Sequence, residues 1–204
     1  MNQDINDESL KEALTYLSQI DPDLEKILKI KKNQITRFKR PSGFIGLINL
    51  VVEQQLSVAS AKAIFGRLKR AVVPFTPKKF LLVEDKVFKS VGLSQQKINY
   101  CQGIAKACFT KKLDFLALKK MSNYQVEEKL TELKGVGPWT AQCYLLGCMG
   151  RIDAWPSSDL GLQVAIQRLK NLKKRPQGLT IDEIAEPWKP YRSVAALILW
   201  SSYD

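Results

Sequence analysis

Residues 133–159 read LKGVGPWTAQCYLLGCMGRIDAWPSSD, and this stretch restricts the fold more than any other. Gly135 and Gly137 flank a single apolar residue, Val136, and a compact apolar run follows from about Trp139 to Met149. The opening predicts a tight hairpin between two helices. Glycine adopts backbone angles that other residues avoid and, lacking a side chain, lets a phosphate approach the main chain. The N–H groups around Gly135, Val136 and Gly137 are expected to point outward where the second helix starts, and the helix dipole there favours an anion. Thr140 lies in that first turn and can add a hydroxyl hydrogen bond. The alternative is a plain glycine turn between two helices, with no ligand. A polar loop then ends in a carboxylate, Asp159, just ahead of another apolar run.

Helical periodicity dominates the rest of the chain. Residues 7–19 place Leu10, Leu14 and Leu17 on one face behind Asp7 as an N-cap. A short helix over about 22–29 starts at Pro22. ITRF at 35–38 is strand-like but too short and isolated to make a sheet. Ser42 is positioned to cap FIGLINLVVEQQ, and Ser57 to cap the next helix, to about Val72. Thr76 heads a short helix through Leu82, residues 84–90 add a turn or two before Gly92, and Ser94 heads QQKINYCQGIAKACF. One more short turn falls at 113–119. Capping boxes are expected at Ser122 with Gln125, for a helix over 123–132, and at Thr180 with Glu183, for one over 181–186. Helices at about 160–170 and 191–202 complete an all-α expectation.

The 204 residues carry 32 Lys and Arg against 20 Asp and Glu, a formal net charge of +12. Residues 61–120 alone hold 14 basic and three acidic residues. A Lys-rich solvated surface explains such a run, but its concentration points to a polyanion, nucleic acid before an anionic membrane. The absence of His excludes imidazole catalysis and the commonest metal ligand. The four cysteines, Cys101, Cys108, Cys143 and Cys148, sit within apolar helical patterns and lack the later pairs of an iron–sulfur or zinc site, so reduced thiols are expected. The N-terminus is acidic and polar, and no apolar run reaches the ~20 residues of a membrane span. A soluble, intracellular (cytoplasmic, or nuclear in a eukaryote), monomeric protein is expected.

LKGVGPWTA, Asp159 within WPSSDLGL and the late WKPYRS…LILW string occur in the order seen in the helix-hairpin-helix DNA glycosylases, which this sequence resembles. The match is to the 3-methyladenine DNA glycosylase II type, and FIGLINLVVEQQLSVASAKAI resembles that branch's characteristic segment. The resemblance runs from about Phe44 to Trp200 and implies two helical lobes with an active cleft between them. One lobe would be residues 44–150 and the other 1–43 plus 151–204, the compact form without an extra N-terminal domain.

The resemblance also implies the chemistry. The partner is double-stranded DNA with damaged bases. The hairpin (Gly135, Val136, Gly137, Thr140) grips its backbone, and a damaged nucleotide is rotated out of the stack. Asp159 matches the family's essential aspartate, which stabilises an oxocarbenium-like sugar and helps place the attacking water. As an alternative, Asp159 simply N-caps the helix beginning at Leu160, and the two roles are compatible. Family members that also nick DNA carry a lysine at the position of Trp139, so an abasic site, not a nick, is the expected product. Trp139 and Trp200 match pocket aromatics able to stack on a base, with an added attraction for a cationic one; Trp200 also suits a buried C-terminal anchor. Gln54 and Gln55 match the turn that enters the minor groove, Gln55 filling the gap left by the flipped nucleotide, unless they form an ordinary exposed loop. No redox or organic cofactor is implied. A structural Na+ or K+ on the main-chain carbonyls of Thr131, Leu133 and Val136 is.

Several positions depart from the family pattern. Cys143 and Leu160 stand at pocket positions that are aromatic in the best-known member, Ser158 replaces a second acid, and Glu53 puts a negative charge where glycine is common. Arg192 is expected either on DNA or paired with an acid such as Asp153. Lys170, Lys173, Lys174 and Arg175 are expected to form a solvated helix end. A non-catalytic DNA-binding protein using the same hairpin is the competing reading.

Overall fold

The computed structural model describes residues 4–31 and 34–202. Among these the chain is all-α, and its only β-type pairing is an isolated bridge between Asp4 and Arg151. Two compact units divide it: Met1–Lys39 with Leu145–Asp204, and the continuous run Arg40–Tyr144.

The continuous unit is built around α3 (Phe44–Glu53), whose residues are nearly all buried. A helix apolar on every side belongs in the middle of a core. Around it pack α4 (Val58–Ala71), α7 (Gln95–Phe109) and α10 (Pro138–Cys143). The short helices α5 (Pro77–Leu81), α6 (Asp85–Ser90) and α8 (Phe115–Leu118), with α9 (Asn123–Thr131), complete the unit. Phe44, Phe75 and Phe80 meet at ring separations of 5.6–5.9 Å, and Phe88 stacks on Phe80 at 4.6 Å. Side-chain caps hold α4, α5, α7 and α9 at Ser57, Thr76, Ser94 and Ser122, the last in a full capping box with Gln125, as the sequence predicts. Ser42 does not cap α3. The N-cap is Gly43 at φ +75°, its N–H donating to Tyr144 Oη at 3.0 Å.

The discontinuous unit combines α1 (Asp7–Ile20) and α2 (Pro22–Lys31) with α11 (Leu160–Leu169), α12 (Leu179–Ala185) and α13 (Arg192–Ser201). Asn6, not Asp7, caps α1, in a reciprocal box with Ser9. The box expected at Thr180 and Glu183 does not form, because α12 starts earlier, with Gly178 as its N-cap at φ +53°. The apolar run after the hairpin is not one regular helix either. It turns into a π-helical segment at Tyr144–Cys148, within which a Cβ on Gly147 would lie 2.6 Å from the Phe38 ring.

Lys170 departs from the solvated end expected of it. Its ammonium bonds both oxygens of Asp21 and one of Asp23, all at 2.9 Å, while Trp188 Nε1 donates to Asp21 at 2.9 Å. Burial alone would raise the Asp21 carboxyl, but the Lys170 and Trp188 hydrogen bonds outweigh it and hold the group below the usual carboxylate range. A lowered folded-state pKa stabilises the fold above the unfolded value of 3.8, and that contribution disappears as pH falls through the folded value. Lys170→Met is therefore expected to destabilise the protein at pH 7 by about 2–3 kcal/mol, since it strands a buried carboxylate. Denaturant melts should show the difference from wild type shrinking once the pH drops below the carboxylate range.

Candidate functional site

In the continuous unit, α9 and α10 enclose the hairpin. The two glycines there are not equivalent. Gly135 sits at φ +90°, and a Cβ on it would collide with the Tyr100 ring. Gly137 adopts φ −94°, ψ 179° as the N-cap of α10, an extended conformation open to any residue, and a Cβ added there would meet nothing within 4 Å. Only Gly135 needs to be glycine on steric grounds. Val136 points its side chain inward, 4% exposed, and its N–H donates to the Leu133 carbonyl at 3.0 Å. The expectation of three outward N–H groups is thus corrected at Val136, whose N–H closes the turn.

Gln54 and Thr140 are bonded to each other. Thr140 is 1% exposed, so its hydroxyl is removed from solvent. It accepts a hydrogen bond from Gln54 Nε2 at 2.9 Å, and the same amide donates to the Gly135 carbonyl at 2.9 Å. Both side chains are thus bonded within the hairpin. Gln55, by contrast, is exposed and left-handed at φ +54°. Beneath this turn Lys97, from the first turn of α7, donates to the carbonyls of Val52 at 2.8 Å and Gln54 at 2.7 Å. Neither Lys97 nor Tyr100 stood out in the sequence, where one is a charge among many and the other a lone aromatic. Glu53 does not present a bare charge. It pairs with Arg40 at 3.1 Å and accepts from Asn49 at 3.0 Å, and burial pushes its carboxyl above the usual range against the pull of both.

Trp139 is partly exposed in α10, and Cys143 is buried at its end. Cys101 and Cys108 are pushed up to about 12 by burial, which keeps their thiols protonated.

In the discontinuous unit, Asp159 is the N-cap of α11, its Oδ1 accepting from Leu162 N–H at 2.9 Å. That same oxygen accepts from Trp200 Nε1 at 3.0 Å, so two donors fix the carboxylate's orientation. Trp200 packs in turn on Phe38 at a ring separation of 5.4 Å. A Cβ on Gly161 would come within 2.9 Å of Asp159 Oδ1 and 3.6 Å of the indole, so the arrangement leaves little room for a larger residue. Leu160 is 58% exposed beside it, and Ser158 is exposed as well. Arg192 forms a two-pronged pair with Asp153 at 2.7 and 2.8 Å, the internal alternative of the two expected for it.

A model of the HhH-GPD superfamily of base excision DNA repair proteins matches residues 48–190. The chain is 29% identical over 203 residues to DNA-3-methyladenine glycosylase 1 of Schizosaccharomyces pombe, covering 95% of this chain and 88% of that one. Its fold is similar to that of the S. pombe 3-methyladenine DNA glycosylase solved in complex with abasic DNA, at TM-score 0.83 and 26% identity over 94% of this chain and 96% of the other. It is also similar to a Bacillus halodurans DNA-3-methyladenine glycosidase, at TM-score 0.77 and 30% identity over 92% and 87% of the respective chains.

Proposed function

The chain belongs to the HhH-GPD superfamily of base excision DNA repair proteins, and from that premise we propose that it is a monofunctional DNA glycosylase. It hydrolyses the N-glycosidic bond of alkylated purines of the 3-methyladenine kind in duplex DNA and leaves an abasic site. The observation that carries this reading is the Asp159 carboxylate, oriented through Oδ1 by Leu162 N–H and Trp200 Nε1.

Each part of the reaction has its residues. The hairpin offers main-chain N–H groups at Gly135 and Gly137 to a phosphate, with Gly135 holding the turn open by its positive φ. Gln55 enters the minor groove at the lesion. As the glycosidic bond breaks, positive charge builds on the sugar, and the fixed Asp159 carboxylate stabilises it without having to reorient. A water then adds to the anomeric carbon from the side that Asp159 faces, and its proton passes to solvent or to the departing base. An alkylated purine that already carries positive charge leaves without needing a strong general acid, which suits a protein without histidine. Trp139 and Trp200 supply aromatic faces for such a cation.

The resemblance implies a structural cation, and two of the three residues that would hold it line one groove. The donors would be the main-chain carbonyls of Thr131, Leu133 and Val136, hard neutral oxygens suited to Na+ or K+. The groove that Thr131 and Val136 line is rimmed by Glu127 and Glu128, whose negative field favours a cation. Bound there, the ion would offset phosphate charge.

Incubation with alkylated duplex DNA should release free methylated purines, chiefly 3-methyladenine. Tight duplex binding without any base release would leave a DNA-binding protein only. Trp139 has no amine to form a Schiff base with the sugar, so borohydride should trap no covalent complex on abasic DNA. Efficient trapping would assign lyase chemistry to another lysine.

A further inference from the structure

Three contacts tie the Gln55 turn to the hairpin, and none follows from the reaction chemistry. Lys97 holds the carbonyls of Val52, in the last turn of α3, and of Gln54, its C-cap, groups that an ending helix leaves without intrahelical partners and at its negative pole. The Gln54 amide reaches across to the Gly135 carbonyl and Thr140 Oγ1. Tyr100, one turn after Lys97 on α7, lies against Gly135 and has its hydroxyl held by Gln96 Nε2 at 2.6 Å. Between these anchors Gln55 stands exposed in a left-handed conformation that a non-glycine residue adopts only when its surroundings impose it.

We propose that Lys97 and Gln54 are positioning residues that clasp the groove-entering turn to the hairpin, so that gripping the backbone and inserting Gln55 are acts of one rigid body. This rests on the reading of the site given above. Without the clasp the hairpin still binds a phosphate, but Gln55 loses its fixed height and angle relative to that grip. Rigid presentation removes the ordering loss that a mobile side chain would suffer on insertion. A lysine in this place is informative in itself. Burial pulls the Lys97 ammonium below its usual value, and the two carbonyl bonds answer for keeping it there instead of on the solvated surface with the other lysines.

The test is a double-mutant cycle read by duplex unstacking, which does not depend on base release. A 2-aminopurine placed beside a stable abasic-site analogue reports the opening of the stack in wild type, Gln55→Ala, Lys97→Met and the double variant. Each single variant should reduce the unstacking equilibrium about tenfold, a coupling in the range of residues that act through one another. The double variant should be no worse than Gln55→Ala alone, and Lys97→Met should change affinity for undamaged duplex by less than about twofold. Additive losses, or a Lys97→Met protein that unstacks like wild type, would overturn the proposal. Should Lys97→Met fail to fold, Gln54→Ala removes the other half of the clasp and completes the same cycle. Wild-type base release, assayed in parallel, separates the two readings. Its absence alongside a non-additive cycle sinks the glycosylase assignment and leaves the clasp standing; base release with an additive cycle does the reverse.

Discussion

Asp159→Asn is expected to lower single-turnover base release from methylated duplex DNA by at least about a thousandfold, the upper range for losing one preorganised electrostatic stabiliser, with duplex affinity nearly unchanged. The substitution separates the two roles of this residue. Asparagine caps a helix about as well as aspartate, and its carbonyl oxygen can still accept from Leu162 N–H and Trp200 Nε1, the two donors now on Oδ1. The start of α11 should therefore survive, and thermal unfolding should shift little. What disappears is the negative charge that the proposed mechanism sets opposite the developing sugar cation. Asp159→Ala, in contrast, should lose the activity and also about 1 kcal/mol of stability from the missing cap. Base release by Asp159→Asn at the wild-type rate would reduce Asp159 to a cap.

The second large effect belongs to the hairpin. Gly135→Ala is expected to destabilise the protein by about 2–5 kcal/mol in denaturant melts, from two additive sources. A left-handed backbone costs a non-glycine residue about 1–2 kcal/mol, and forcing a methyl group into a packed ring costs about 1–3 kcal/mol more. Tyr100 is that ring. Adding Tyr100→Ala should remove the steric part of the Gly135→Ala penalty and leave the backbone part. Gly137→Ala is the control. It has an ordinary φ of −94° and no atom within 4 Å of the added Cβ, so its effect should stay within about 0.5 kcal/mol. Equal damage from the two glycine substitutions would show that hairpin strain is shared and not lodged at Gly135.

What could be read from the sequence was mostly local. Ser57, Thr76, Ser94 and Ser122 act within three residues of themselves, and each caps the helix expected of it. The local rule fails at α3, where Gly43 replaces Ser42 as the cap because Tyr144, 101 residues away, takes the Gly43 N–H. It fails again after Cys143, where the segment holding Gly147 against Phe38 is π-helical and not regular α-helix. The same distinction runs through the candidate site. Asp159 and its capping geometry are legible in a dozen residues. The Trp200 bond to Asp159 joins positions 41 apart, and the Gln54 bonds to the hairpin join positions 81 and 86 apart. Periodicity does not show which side chain will meet which across such distances. Gln54 and Gln55 are identical in kind and adjacent in sequence, yet one is bonded to the hairpin and the other is exposed at positive φ.

The division of the chain into a continuous and a discontinuous unit sets an order of events during synthesis. Residues 40–144 leave the ribosome as one uninterrupted block, so everything this unit needs is present once Tyr144 has emerged, and domains generally fold as they become complete. The other unit must wait. Asp21, made early, stays without its Lys170 partner for another 149 residues, and Asp159 without Trp200 for 41. A nascent chain thus completes the unit that carries the hairpin before Trp200 aligns the Asp159 carboxylate, so the proposed catalytic arrangement is the last to be assembled.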